Sequence, residues 1–317
     1  MRVNVQLIDA ESGNHLWAER FDKPLADLFD MQDEIVARLA GALNAELVAA
    51  EARRAEQAPN PDSMDLYFQG LAWLNRGRTP ANVAQARTFF DRALTADPEN
   101  VEALVGSASA DAIAGVLLFV TDPAAAFLAA EAKVTKALSL VPDDARGHMT
   151  LGLVYIYAKR AAQGIAECEH ALALDRNLAS AHSTIGMGKI YIGRPEETEA
   201  HISEALRLSP RDTMAYSWMT TAGIAKNHLG LYDQAVPWCR RAIEANRNFP
   251  QPHFALGAAL AWLGQLDEAR SAVRAGLALN PSFTISRARA TWMSDNPTCV
   301  AQMERHLEGM RMAGVPE

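Results

Sequence analysis

The chain is poor in cysteine, and the few cysteines it has are badly placed for structural roles. Among its 317 residues the three cysteines, Cys168, Cys239 and Cys299, lie far apart and form no CxxC pair. An odd, widely spaced set argues against a disulfide framework and against a zinc site. We therefore expect no metal and no cofactor, and a reducing compartment is the simplest interpretation.

Basic runs and long apolar stretches are missing as well. Acidic side chains outnumber basic ones by 38 to 30, which gives a formal net charge of -8 and predicts no nucleic-acid partner. The longest apolar stretch, residues 112–120, is about half of what a membrane span needs, and the first residues lack the apolar core of a signal peptide. We therefore predict that this chain has no membrane span. We predict that it lies in the cytoplasm, or in the periplasm if a span precedes it in a longer parent protein.

Catalytic motifs are absent from the sequence. It contains no GxGxxG, GxxxxGK[ST], HExxH or GxSxG. His148, His182 and His253 share one position of the repeat described below, so they are expected in separate layers. Cys168 has no predicted histidine partner. We predict no catalytic residue. The alternative is a hydrolase or metal enzyme that uses the histidines, and stoichiometric zinc in the pure protein would support it.

A small-residue marker recurs down the chain at a nearly constant interval. The intervals between successive markers are 44, 34, 34, 37 and 34 residues, and a helix stop or its substitute follows each marker after five residues. One helix pair cannot bury its own apolar face, so this pattern predicts stacked pairs. The markers are alanine-leucine pairs or close substitutes that begin at Ala93, Ala137, Ala171, Ala205, Ala242 and Gly276.

A period of 34 with a bulky-glycine pair in the first helix resembles the tetratricopeptide repeat. The matching pairs are Leu151-Gly152, Ile185-Gly186 and Leu256-Gly257. The resemblance covers roughly residues 62–283, with extra length near residues 115–123. It implies a mostly α fold, an α-solenoid that is a right-handed superhelix of about six helix pairs. Residues 284–317 are predicted to form C-terminal capping helices, at 284–293 and at 296–312.

The resemblance also implies a function and a binding surface. Members of this family bind proteins or peptides in a concave groove lined by the first helix of each pair. The groove positions here are apolar, aromatic or hydroxyl-bearing, which predicts an amphipathic or extended peptide partner. The open alternative is that these side chains pack against the first domain or the terminal helix. The positions are Tyr67, Leu71, Met149, Leu153, Tyr157, Ser183, Met187, Tyr191, Ser217, Thr221, Phe254, Ala258 and Trp262.

The first 57 residues follow a different pattern. Alternating residues at 3–7 and 16–21 flank a turn-rich stretch and predict a β-hairpin. A helical stripe follows at Leu28, Ile35, Leu39, Leu43 and Leu47. Two strands and one helix are marginal in water, so we interpret residues 1–57 as a truncated α/β domain whose other strands lie upstream.

This segment resembles the end of a TolB-like α/β domain, through residues 6–13, 16–22 and 32–35. Such a domain precedes tetratricopeptide repeats in bacterial class III adenylate or guanylate cyclases and in winged-helix regulators, and residues 306–317 resemble the tail of the cyclase-type proteins. The resemblance implies a non-catalytic protein-interaction scaffold, the regulatory C-terminal part of a cyclase-type signalling protein. The alternative is the corresponding region of a winged-helix transcriptional regulator. Any cyclase activity would belong to a domain upstream.

Overall fold

The architecture is that of a computed structural model. It describes residues 2–8, 13, 15–22, 35, 48–56, 58–117, 119–210 and 212–317. The described residues divide into two compact units. The N-unit comprises those up to Thr150 together with Arg207–Ser209, and the C-unit comprises those of Leu151–Leu206 and Pro210–Glu317.

The N-unit begins with the predicted hairpin. Strands β1 (Arg2–Ile8) and β2 (His15–Asp22) pair antiparallel, with Val3 opposite Phe21. Arg2 lies opposite Asp22 and forms an ion pair with it at 2.7 Å, which lowers the pKa of the Asp22 carboxyl. In the predicted helical stripe, Ile35 is helical, and so are residues 48–56. Leu28, Leu39, Leu43 and Leu47 lie outside the described residues.

Four complete helices follow in the N-unit, and each is preceded by a residue of a type that commonly caps helices. An oxygen on the side chain before each helix accepts a hydrogen bond from the main-chain N–H three residues later, which satisfies a donor that the first turn leaves free. The capping residues are Asp62, Thr79, Asn100 and Asp122. The helices are α1 (Ser63–Asn75), α2 (Pro80–Ala96), α3 (Val101–Val116) and α4 (Pro123–Leu140).

The remaining helix pairs complete the predicted array. Helix α5 (Ala145–Tyr157) begins in the N-unit and ends in the C-unit. The described residues thus contain six successive helix pairs between Ser63 and Leu279. We call the odd-numbered first helices A helices and the even-numbered ones B helices. The other helices are α6 (Ala161–Leu174), α7 (Ala179–Tyr191), α8 (Thr198–Leu208), α9 (Ala215–Leu229), α10 (Tyr232–Ala245), α11 (Gln251–Trp262) and α12 (Leu266–Leu279).

The extra length predicted near residues 115–123 is spread over two helices. α3 and α4 have 16 and 18 residues, whereas α5 and α6 have 13 and 14. Small residues hold the helices close, as the repeat requires. A Cβ built onto Gly106 of α3 would lie 2.7 Å from the ring of Phe90, and Gly70 of α1 meets the same ring at 2.6 Å. Phe90 is fully buried between these two A helices.

Two further helices end the chain within the predicted ranges. They are α13 (Ile285–Ala290) and α14 (Pro297–Met312). Asn296 caps α14 by accepting a hydrogen bond from the main chain of Cys299 at 3.1 Å, and Pro297 occupies the first turn, where its missing N–H costs nothing.

Candidate interaction surface

Neighbouring A helices form one surface in the C-unit. Helix α9 contacts both α7 and α11. Most of the residues predicted to face a partner lie on these helices and on the last turns of α5. We call the side of the A helices that carries them the A-helix surface. Its predicted members in the C-unit are Leu153, Tyr157, Ser183, Met187, Tyr191, Ser217, Thr221, Phe254, Ala258 and Trp262.

The last part of the chain covers this surface. We call residues 284–317 the C-terminal segment. Within it, α14 packs against α9 and α11. The hydroxyl of Ser294 donates a hydrogen bond to the main-chain oxygen of Tyr191 at 2.6 Å, and Lys159 pairs with Asp295 at 2.7 Å. The segment therefore reaches well beyond the last helix pair, which it was predicted to cap.

Trp262 anchors α14 at the end of α11. Its indole Nε1 donates a hydrogen bond to the main-chain oxygen of Arg305 at 3.1 Å, and its ring stacks on Tyr232 with the centroids 5.7 Å apart. Gly309 of α14 lies so close that an added Cβ would be 2.7 Å from the indole and 2.8 Å from the main-chain oxygen of Ala258. A residue at 309 that is larger than glycine would therefore push α14 away.

Aromatic contacts hold the start of the C-terminal segment. Tyr191 is 8% exposed and meets Trp292 edge to face at 5.5 Å, while Tyr157 meets Tyr191 at 6.0 Å. Edge-to-face pairs of this kind add to the energy of apolar burial. Burial raises the pKa of Tyr191 well above its usual value, so its phenol stays protonated. Two aromatic residues of the predicted groove thus already have an aromatic partner from their own chain.

Apolar side chains of α14 complete the contact. Cys299 is fully buried and packs in a cluster that includes Ile190 of α7 and Ala225 of α9. Further along α14, Met303, Leu307 and Met310 join the cluster that contains the side chains of α11. Their spacing of four and three residues is that of one helix face, so α14 docks as an amphipathic helix.

Polar groups are buried inside this contact. His228 of α9 and His306 of α14 are 1% and 4% exposed, and their ring centroids are 5.8 Å apart. The ring of Trp292 lies 5.6 Å from that of His228. Burial, with His306 and Arg305 as lesser causes, lowers the pKa of His228 to about 3, and burial lowers that of His306 to about 4. Both imidazoles are therefore neutral at pH 7.

The other predicted surface residues of the C-unit make contacts within their own helix pair or lie half-buried. Phe254 is 1% exposed, stacks on Phe283 at 4.0 Å and lies against Gly276 of α12. The hydroxyls of Ser183 and Thr221 donate to main-chain oxygens of their own helices at 2.9 and 3.1 Å. Half-buried positions are Leu153, Met187 and Ser217.

Tyr67, Leu71 and Met149 belong to the N-unit. The phenol oxygen of Tyr67 accepts a hydrogen bond from Arg146 at 3.3 Å, and its ring lies 6.0 Å from that of Phe90. Leu71 packs partly buried in the cluster that contains Tyr67, and Met149 is half-buried. Peptide binding by the thirteen predicted residues stays a prediction.

Four residues of the docking contact were not singled out from the sequence. They are His228, Trp292, Gln302 and His306. A signal for one of them exists, because His306 lies three residues after Met303 and next to Leu307, on the apolar face of α14. A histidine on an apolar helix face indicates a buried imidazole, although the pattern does not say what buries it.

No protein-family model matches the chain. Solved structures that resemble it show its fold. The crystal structure of the APC/C hetero-tetramer Cut9-Hcn1 is similar over 83% of this chain and 46% of that one, with a TM-score of 0.61 and 16% identity. TTC0263, a thermophilic TPR protein of Thermus thermophilus, is similar over 62% of this chain and 98% of its own, with a TM-score of 0.50 and 18% identity. The chain has a tetratricopeptide fold.

Two further likenesses concern bacterial proteins. PilF of Pseudomonas aeruginosa is similar in structure over 70% of this chain and 93% of its own, with a TM-score of 0.50 and 16% identity. "Putative adenylate cyclase 3" of Rhizobium meliloti (strain 1021) is 31% identical over 185 residues. The match covers 54% of this chain and 29% of the relative, so the chain spans less than a third of that cyclase-type protein.

Membrane spans were predicted to be absent from the chain. Within its described part, no helix combines the length and the apolar character that crossing a bilayer requires.

Proposed function

We propose that this chain is a non-catalytic protein-interaction scaffold that forms the regulatory C-terminal part of a bacterial signalling protein of the adenylate cyclase type. The observation that carries the proposal is the 31% identity over 185 residues to "Putative adenylate cyclase 3", together with the tetratricopeptide fold. About seven tenths of that relative lie outside the match. A catalytic domain would belong to such a region of a longer parent.

The state of two cysteines argues against a thiol enzyme and favours a non-catalytic scaffold. Cys168 and Cys239 are fully buried between helices. Burial raises the pKa of the Cys168 thiol far above its usual value and that of Cys239 to about 12. Neither thiol is ionised at neutral pH, and a thiolate is what a cysteine nucleophile needs.

The A-helix surface supports a scaffold directly. It already binds one amphipathic helix, α14, through a stripe of apolar anchors. This is the groove mode in which helical partners bind proteins. A protein partner at this surface would meet Trp262, Tyr191 and the apolar side chains of α9 and α11.

A chimera of the cyclase-type relative tests the proposal. The region of "Putative adenylate cyclase 3" that matches this chain would be deleted, and then replaced by this chain. We expect the deletion to change the rate or regulation of cyclic nucleotide formation, and the replacement to restore it. The pure chain with ATP and magnesium should form no cyclic nucleotide. If the deleted and replaced enzymes behave alike, or if the chain alone makes cyclic nucleotide, the proposal is wrong.

A further inference from the structure

The contact between α14 and the A-helix surface contains buried polar atoms without hydrogen-bond partners. Among the described residues these are both ring nitrogens of His228, Nδ1 of His306, Oε1 of Gln302 and Nε1 of Trp292. An unpaired buried polar atom costs free energy, since it has lost water and gained no hydrogen bond. The docked state of the C-terminal segment is therefore less favourable than its apolar contacts alone would make it.

No free counter-charge surrounds the two imidazoles among the described residues. His306 and Arg305 both repel a proton on His228, while the amide of Gln302 favours one but carries no charge. The titratable residue of α11 is His253, which lies in the first turn of that helix. Its ring is near the main-chain oxygen of Arg247. Three further titratable groups face the contact, and burial raises the pKa of each, so they are neutral. They are Tyr191, Tyr232 and Cys299.

Five carboxylates on the elements packed against the histidines are held in ion pairs, while Glu196 is exposed and Arg311 is shared between Glu308 and Glu317. The short turn at Pro195–Glu197 and the start of α8 supply Glu197 and Glu199, while the C-terminal segment supplies Asp295, Glu304 and Glu308. Among the residues that the structure describes, a proton on either imidazole would thus meet no free carboxylate in the docked state, and Gln302 offers His228 only an uncharged amide. The pairs are Lys189–Glu197, Lys226–Glu199, Lys159–Asp295, Arg289–Glu304 and Arg311–Glu308.

We propose that the C-terminal segment is an acid-released latch: when His228 and His306 take up protons, α14 leaves the A-helix surface and exposes the apolar side chains that it covers. Release gives both imidazolium groups access to water, which the docked state denies them. The latch is a property of this chain alone, so it does not depend on which protein the scaffold serves.

The direction and size of the effect follow from proton linkage. Docking holds the pKa of His228 at about 3 and that of His306 at about 4, against 6.5 for an exposed imidazole. Well above pH 6.5 both rings are neutral whether docked or free, so docking does not depend on pH there. As the pH falls below 6.5, the free state binds protons that the docked state cannot. Between pH 7.5 and 5.5 the two rings together should weaken docking roughly 100-fold.

The cysteines provide a measurement of release. Cys299 is buried by the docking of α14, whereas Cys168 and Cys239 are buried within helix pairs, against Gly152 and Gly223. A pyridyl disulfide reagent, which modifies thiols even in mild acid, would be applied to the folded chain and to the denatured chain at each pH. The ratio of the two rates is the protection of each cysteine. We expect the protection of Cys299 to fall roughly 100-fold from pH 7.5 to 5.5, while that of Cys168 and Cys239 stays high.

Variants identify the groups that take up the protons. The double variant His228→Gln/His306→Gln should lose the pH dependence of Cys299 protection, whatever its absolute protection. His306→Gln alone should keep a fall of about tenfold, from the remaining ring. His253→Gln is the matched control, because this half-buried histidine also lies on an A helix, and it should behave as the wild type does.

Three results would overturn the latch. Equal loss of protection at all three cysteines would mean that acid unfolds the repeats. Constant protection of Cys299 down to pH 5.5 would mean that the histidines do not control docking. An unchanged pH dependence in the double variant would assign the effect to other groups. The wild-type comparison stands even if the double variant fails to fold.

Discussion

The indole Nε1 of Trp262 donates a hydrogen bond to the main-chain oxygen of Arg305, 3.1 Å away. The two residues are 43 positions apart in sequence, and the bond joins the end of α11 to the middle of α14. Trp262 is one of the residues predicted to bind a peptide. Its indole donates to a main-chain oxygen, as it could to a bound peptide, but this oxygen belongs to α14 of the same chain. A partner at this position must therefore displace α14 first.

Gly309→Ala should loosen α14 at neutral pH. An alanine inside a helix ordinarily stabilises it by about 1 kcal/mol relative to glycine. At Gly309 the added Cβ would lie 2.8 Å from the main-chain oxygen of Ala258, which cannot move aside as a side chain can. We expect docking to weaken by about 1–3 kcal/mol, and Cys299 to become more reactive at pH 7.5 while Cys239 stays protected.

Ala301→Leu provides the control for that experiment, because Ala301 is exposed on the same helix. It adds more volume than Gly309→Ala and should leave the reactivity of Cys299 unchanged. Equal reactivity of Cys299 in Gly309→Ala and the wild type would show that the helix accommodates the extra methyl group.

The helices could be predicted because their signals are local. The 34-residue spacing gave the six pairs, and the Asn296-Pro297 step gave the start of α14. Caps and small residues act within a few positions of themselves, so one sequence is enough to place them. The hairpin was predicted from its alternation for the same reason.

The destination of α14 could not be predicted, because it depends on contacts between distant residues. The apolar stripe through Met303, Leu307 and Met310 shows that α14 must be covered, but not by which helices. The position of Phe254 is a similar case. The repeat position suggested a groove residue, whereas the space beside Gly276 takes its ring into the interior of the helix pair. A pattern of residue types does not predict which rotamer the Phe254 side chain adopts.

Gly152→Ala and Gly186→Ala should differ in effect, although the two glycines occupy the same repeat position. A Cβ on Gly152 would meet the sulfur of Cys168 and lie 2.7 Å from the main-chain oxygen of Gly164. At Gly186 the nearest atom is the end of the Ile202 side chain, 3.2 Å away. We expect Gly152→Ala to lower the free energy of unfolding by about 1–3 kcal/mol, and Gly186→Ala to change it by less than about 1 kcal/mol.

Chemical denaturation followed by circular dichroism measures both variants. Gly186→Ala serves as the control, since both changes add one methyl group and the same gain in helix propensity. Similar destabilisation by the two changes would contradict the close helix contact at Gly152.

Asp111→Ala should destabilise the N-unit. The carboxyl of Asp111 is 1% exposed; it accepts a hydrogen bond from Lys133 at 2.6 Å and forms an ion pair with Arg87 at 3.2 Å. Lys133 and Arg87 are 24% and 47% exposed, so water partly solvates the charges that the substitution leaves behind. We expect a loss of about 1–3 kcal/mol in the free energy of unfolding, measured by denaturation. Asp91→Ala is the matched control, because Asp91 is 54% exposed and lies 3.9 Å from the same Arg87. A change as large in the control would mean that burial does not decide the effect.

Glu199→Gln should destabilise the C-unit only where the glutamate is ionised. Glu199 accepts from the ammonium of Lys226 at 2.6 Å and from the indole of Trp238 at 3.2 Å. Glutamine can keep the bond to Trp238, but it leaves the Lys226 charge, 11% exposed, without its partner. Glu199 itself is 44% exposed, so water screens the pair, and the loss at pH 7 should be about 1 kcal/mol.

The pH dependence of that loss identifies its cause. The hydrogen bond from Lys226 lowers the pKa of Glu199 below 4.5, so the pair stabilises the fold fully above that pH. The stabilisation disappears as the pH falls through the lowered pKa, because the wild-type carboxyl then becomes neutral as glutamine is. Denaturation midpoints of the wild type and Glu199→Gln should therefore differ at pH 7 and converge as the pH falls below 4.5 and through the lowered pKa of Glu199. Glu196→Gln, at an exposed position in the preceding turn, should match the wild type throughout. A constant difference down to pH 3 would place the effect in packing instead of charge.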